Sequence, residues 1–194
     1  GQAEGFSPAA LGLLGTAWAG GFVGGCLYAP KLVRNVGHVR AFGTFAAVGA
    51  IIALLTGLFI DPYIWIGLRI FTGFTMAGSF MVIESWLNER ATNKNRGTVF
   101  GLYMMVTYAA IMAGQMIVAA GDVRSASLFM VTGIFFCMSL IPTAISTQAT
   151  PAPLKEVSLD LRRLYANSPV SLVGCLLIGV ANGAWGTLGA VFGA

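Results

Sequence analysis

Six apolar stretches, each ~20 residues or more, follow one another along this chain with short polar breaks between them. That run constrains the fold more than any motif does. A helix rising 1.5 Å per residue crosses a bilayer core of ~30 Å in about 20 residues. No water is available there, so the backbone must satisfy its own hydrogen bonds within each segment, as a helix does. The expected fold is all-α, a polytopic transmembrane helix bundle.

Composition agrees. Of the 194 residues 57% are hydrophobic and 9% are charged, whereas a soluble domain carries about 25% charged residues. The net charge of +4 is small and divided among loops, which excludes a nucleic-acid surface. Cys26, Cys137 and Cys175 stand singly in apolar stretches without metal-type spacing, and are expected to be small packing residues. His38 lies in a basic loop with no second ligand near it, so no metal site is expected.

The spans run from Pro8 to Ala29, Ala41 to Ile60, Pro62 to Leu87, Thr98 to Ala120, Ser127 to Thr147 and Ser171 to Ala194. Pro30 and the charges behind it are expected to stop the first. Asp61-Pro62 pairs an N-cap acid with a proline at the first helical position, and Gly121-Asp122 closes the fourth. Lys and Arg gather in cytoplasmic loops. Lys31, Arg34 and Arg40 follow the first span, Arg90, Lys94 and Arg96 the third, and Lys155, Arg162 and Arg163 the fifth. Nine of the eleven basic residues therefore share one side, and only Arg124 stands on the other. Arg69 is the one left inside the membrane.

The stretch 155–166, KEVSLDLRRLYA, gathers Val157, Leu161, Leu164 and Tyr165 on one helical face. A helix lying at the membrane surface suits it, serving as a bundle-to-bundle connector or as a plain solvated helix. The chain starts without an initiator methionine and ends within an apolar helix, so it is expected to be an interior piece of a longer protein.

Within the spans, GTAWAGGFVGG (15–25) sets Gly20 four from Gly24 and Gly21 four from Gly25, a spacing that lets helices approach closely in lipid. Arg69 lies ~11 Å into its helix if that helix starts at Pro62. A central arginine costs about 2.5–3.5 kcal/mol to insert, so its default reading is a cavity residue, with snorkelling to the outer surface as the alternative. Glu84 lies ~22 Å further along the axis, at the cytoplasmic boundary with Glu89, Arg90 and Arg96. Ion pairs there suit a gate, and ordinary solvated charges would look the same. Tyr103, Thr107, Tyr108 and Gln115 in the fourth span, with Asn182 and Trp185 in the sixth, are the other polar or pathway candidates.

The loop APKLVRNVGHVR (29–40) partly matches the Gly-x-x-x-Asp-Arg/Lys-x-Gly-Arg/Lys loop of the major facilitator superfamily. Placed on Gly37, it puts Pro30 at the leading glycine, Arg34 at the acid and Asn35 at the next basic position, and His38 then Arg40 follow the glycine. The missing acid departs from the family, where that carboxylate helps latch the cytoplasmic gate. Arg69-x-x-x-Gly73 followed by Ala77 is similar to the family's helix-four motif. Glu89 with Arg96-Gly97 resembles a gate signature of sugar porters. VIESWLNERATNKNRG together with YMMVTYAAIMAGQ resembles the bacterial YcaD-like subgroup, which also tends to carry a basic residue at the loop acid position. No proline accompanies Gly101 or Gly114, so the antiporter motif of helix five is absent.

The resemblance implies helices two to seven of a twelve-helix major facilitator fold. Residues 1–147 would belong to the N-terminal bundle, 148–170 to a cytoplasmic linker, and 171–194 to the first helix of the C-terminal bundle. It implies a secondary active transporter in the cell inner membrane, moving a small solute by alternating access, with protons as a candidate coupling ion. The pathway residues would be Arg69, Gln115, Asn182 and Trp185. The cytoplasmic gate would use Arg34, Gly37, Arg40, Glu84, Glu89, Arg96 and Gly97. The partners would be a small-molecule substrate, the lipid bilayer and the remainder of the same transporter, with no nucleic acid. No cofactor, nucleotide loop or metal constellation is expected. An enzyme would need paired histidines or acids inside the spans, which argues against one. A non-transporting sensor or scaffold stays open as the alternative.

Cysteines placed singly at Lys31, Asn93 and Lys155 should react with impermeant thiol reagents from the cytoplasm alone, and those at Asp61 and Asp122 from outside. Labelling of both sets from one side would refute this topology.

Overall fold

A computed structural model describes residues 6–122, 125–145 and 161–192. Its helices are α1 (Pro8–Val36), α2 (His38–Leu58), α3 (Pro62–Arg90), α4 (Arg96–Ala120), α5 (Ser127–Ile145), α6 (Leu161–Asn167) and α7 (Pro169–Phe192). Five of them, α1 to α5, are long and apolar enough to cross a membrane. The predicted sixth span corresponds to α7, with 24 residues. The protein is an all-α transmembrane bundle.

Two boundaries depart from expectation. Pro30 does not stop the first span, because α1 runs through it to Val36. A proline removes one backbone donor and crowds the carbonyl four residues earlier, a defect that twenty-odd residues of good helix absorb. The true break is Gly37, whose φ of +86° lies where a side chain would be strained. One residue therefore joins α1 to α2, and His38 opens a helix where a loop was expected. At the outer end the expectation holds. The Asp61 carboxylate accepts from Tyr63 N at 2.9 Å and Ile64 N at 3.0 Å, with Pro62 at the first helical position.

The chain divides into two compact units, Gly1–Leu154 and Lys155–Ala194. In the first, α1 packs most extensively on α3, and α2 lies against both α3 and α5. Register reveals direction. Gly21 of α1 meets Ile70 and Gly25 meets Phe74 and Ala77, so α1 and α3 run the same way. Phe45 of α2 covers Gly78 while His38 reaches Ser85, so α2 runs against α3. Gly49 meets Phe136 and Gly57 meets Phe129, so α5 runs against α2. Helices α1, α3 and α5 are thus parallel, as alternate crossings of one membrane must be. Their starting ends meet in an aromatic cluster. Trp65 lies edge-on to Phe6 at 5.2 Å and to Phe129 at 5.8 Å, and its Nε1 donates to the Phe59 carbonyl at 2.6 Å.

The core follows from small residues. Ala41, Phe45, Gly49 and Ala53 form a buried stripe at helical spacing on α2. The α1–α3 seam uses one of the two glycine pairs seen in the sequence. Gly21 and Gly25 are buried against α3, while Gly20 and Gly24 border open space. Across the seam, a side chain at Gly73 would collide with the Trp18 carbonyl. By contrast, α4 has no buried residues and touches α3 lightly. Its exposed Leu102, Met105, Met112 and Met116 would be a liability in water and suit lipid or another helix.

Cys26, Cys137 and Cys175 are exposed, so none of them lies in the buried core of the described residues. Of the 155–166 stretch, α6 takes residues 161–166 and continues to Asn167, while residues 155–160 lie outside the described ones.

Gly73→Leu or Gly21→Leu should destabilise the purified protein by about 1–3 kcal/mol or more, since backbone atoms cannot yield. Gly20→Leu should be near neutral. Thermal unfolding in detergent reads the difference, and equal effects at all three positions would contradict this seam.

Candidate functional site

The directions of the helices bring the ends of α1 and α3 and the beginnings of α2 and α4 to one end of the bundle. Arg34 stands in the last turn of α1 and Arg90 in the last turn of α3, where a positive charge opposes the helix dipole favourably. A turn follows, in which Asn95 Oδ1 accepts from Thr92 N at 2.7 Å. Helix α4 then opens on Arg96.

The tightest contact at this end was not among the expected site residues. His38 is 2% exposed and its Nε2 lies 3.1 Å from Ser85 Oγ. A buried polar ring needs such a partner, and Ser85 supplies it across the α2–α3 interface. Glu89, one turn further along α3, acts electrostatically on the same ring. Ala29, Val33, Ala41, Phe45 and Val82 close an apolar cluster beside it. The signal was available in part: His38 directly follows Gly37, at the position where the family pattern carries a basic residue.

The remaining gate candidates separate from this knot. Arg40, Arg96 and Gly97 are exposed. Glu84 is exposed too and accepts a long hydrogen bond of 3.4 Å from Tyr103 Oη. That contact ties α3 to α4 where they otherwise hardly touch. Glu84 also lines a cavity of about 570 Å³ between α1, α3 and α4. So the expected cluster falls into two adjoining groups, Gly37, His38, Ser85 and Glu89 in one and Glu84 and Tyr103 in the other, with Ser85 and Glu84 lining the same cavity.

The pathway candidates are dispersed. Arg69 is exposed on α3, four residues before the buried Gly73, and no charged group stands beside it among the described residues. Gln115 is exposed on α4. Measured from Glu84 and Tyr103, Arg69 lies ~22 Å and Gln115 ~18 Å along their helices, so both sit toward the opposite end of the bundle. Asn182 is exposed on α7 in the second unit, and the side chain of Trp185 lies outside the described residues. Among the described residues no group of three His, Cys, Asp or Glu could hold a metal ion.

The family model of the Major Facilitator Superfamily matches residues 2–194. The chain belongs to that superfamily. It is 27% identical over 178 residues to the MFS-type transporter YcaD of Salmonella typhimurium and 26% identical over 176 residues to that of Escherichia fergusonii. An MFS-type transporter of Yersinia enterocolitica is 24% identical over 177 residues. Each alignment covers 89% of this chain and 46% of the relative, so the chain spans about half the length of the curated relatives it matches. No solved structure matches. The Salmonella typhimurium and Escherichia fergusonii relatives carry the YcaD name that the segments VIESWLNERATNKNRG and YMMVTYAAIMAGQ suggested. Membership makes the chain part of a transporter family and argues for a multi-pass membrane protein rather than an enzyme.

His38→Ala and Ser85→Ala should each destabilise the protein, with a double-mutant coupling of about 0.6 kcal/mol and at most ~1.7. Chemical unfolding in detergent measures it. Fully additive single effects would mean that the two side chains do not interact.

Proposed function

We propose that the protein is a secondary active transporter that moves a small solute across the cell inner membrane by alternating access between two bundles. Membership in the Major Facilitator Superfamily carries this reading. The five membrane-length helices and the parallel run of α1, α3 and α5 support it. Residues 1–147 form the N-terminal bundle, 148–170 the cytoplasmic linker, and 171–194 the first helix of the opposing bundle.

On this reading Arg69 faces the solute pathway with Gln115, Asn182 and Trp185. Its guanidinium is always charged and presents a planar fork of donors. In a low-dielectric cavity it orients a solute acceptor or the acid that carries a coupling proton. The inner gate uses Arg34, Gly37, Arg40, Glu84, Glu89, Arg96 and Gly97. With Arg34 where the family has an acid, closure at the α1–α2 link depends on the His38–Ser85 contact and on Glu89 rather than on a loop carboxylate. The remainder of the same transporter supplies the facing wall. A sensor or scaffold of the same fold would show no saturable uptake.

Arg69→Lys keeps the charge but loses the fork, and Arg69→Ala removes both. With a solute found by uptake screening in vesicles, Lys should lose most of the initial rate, about tenfold or more, and Ala essentially all of it. Insertion should survive both changes, because Ala lowers the membrane cost. If Arg69 merely snorkels, Lys will match the wild type and Ala will be nearly neutral. Near-normal rates in both, corrected for membrane expression, would remove Arg69 from the mechanism.

A further inference from the structure

We propose that the cavity between α1, α3 and the start of α4 binds an organic cation bearing an apolar or aromatic group, with Glu84 as its counter-charge. The inference rests on the transporter reading for its biological meaning and deepens it by naming a solute class.

The cavity, about 570 Å³, has the size of a small-ligand site. Its walls come from three helices. Phe22 of α1, Phe80 and Met81 of α3, and Phe100 of α4 line it, together with Glu84 and Asn88. None of its lining residues is basic. The carboxylate of Glu84 therefore meets a neutral partner, Tyr103 Oη, through a bond of 3.4 Å that is long for a hydroxyl donor. Glu84 is exposed at the mouth of these apolar walls, so a cation whose own apolar group covers the carboxylate gains more from it than a bare hydrated ion does.

The three phenylalanine rings select the kind of cation. The face of an aromatic ring attracts an ammonium through its quadrupole, most strongly where water is excluded. Met81 adds a flexible apolar surface that adapts to shape. An anion would meet Glu84 with like charge. A polyhydroxylated neutral solute would find donors and acceptors only at Glu84, Ser85 and Asn88 and would leave its other hydroxyls against the rings. A quaternary or tertiary ammonium with an apolar arm satisfies the rings and the carboxylate together. Arg69 does not line this cavity, and it stands ~22 Å away along the same helix.

The test is equilibrium dialysis of the purified full-chain protein in detergent against radiolabelled benzyltrimethylammonium, with benzenesulfonate as a probe of similar size and opposite charge. Saturable binding of the cation, and none of the anion, is expected. Glu84→Gln should weaken binding at least about tenfold and Phe80→Ala about threefold. Glu84→Asp, which keeps the charge, should retain binding within about threefold, so that loss in Gln is not a folding defect. No saturable binding to the wild type, equal binding of the two probes, or unchanged affinity in Glu84→Gln would overturn the site. Saturable, Glu84-dependent binding with no uptake of any screened solute in vesicles once the remainder of the transporter is supplied would support the site while removing the transporter reading. Uptake of another solute without cation binding would do the reverse.

Discussion

The backbone-to-backbone approach of α1 and α3 is the constraint on which the first unit depends. In lipid there is no hydrophobic force between helices, since the tails are as apolar as leucine. What holds helices together is close van der Waals contact, and its extent depends on how near the axes can come. Gly21, Gly25 and Gly73 remove the side chains that would keep α1 and α3 apart. Once that pair is fixed, Phe45 of α2 can seat on Gly78, and Phe136 and Phe129 of α5 can seat on Gly49 and Gly57. Each large ring finds a glycine opposite it. The same seam holds Phe22 and Phe80 on adjoining helices, so the cavity at the inner end inherits its geometry from the packing.

Much of this was legible in the sequence because it follows from one-dimensional physics. Apolar length gave the helices, and Asp61-Pro62 gave the start of α3 from the donors it satisfies. The positions of Arg90 and Arg96 marked the turn between α3 and α4 to within a few residues. The small-residue spacing announced a close seam, though not which glycines would face it: Gly20 and Gly21 are indistinguishable until the helix has a neighbour. Proline read as a stop at Pro30 because local rules rank it as a breaker. A long helix with strong flanks tolerated it, and the glycine seven residues later ended the helix instead.

The site was less legible, for a physical reason. Its contacts join residues far apart in the chain. His38 and Ser85 are 47 positions apart, and Glu84 and Tyr103 are 19 apart. No periodicity links such pairs, so His38 reads as a residue of a basic loop and Tyr103 as one polar group among several in its span. Arg69 could be singled out because its burial cost is intrinsic to membrane depth and needs no partner to be noticed.

The end of the bundle where α1 and α3 finish combines a rigid part with a loose one. Helix α1 stays continuous to Val36, a single glycine turns it into α2, and the His38–Ser85 contact fastens the start of α2 to α3. Those three helix ends share the apolar cluster of Ala29, Val33, Ala41, Phe45 and Val82, so separating them would expose packed surface and a buried imidazole together. Helix α4 has no buried residues, and its link to α3 includes the long Tyr103–Glu84 hydrogen bond. Among the described residues, displacing α4 therefore disturbs less packing than displacing any of the other three. Phe100, which closes the cavity on that side, rides on α4. The most lightly packed wall of the cavity among the described residues is thus the one that carries Phe100, and opening that wall need not break the seam that positions the other two.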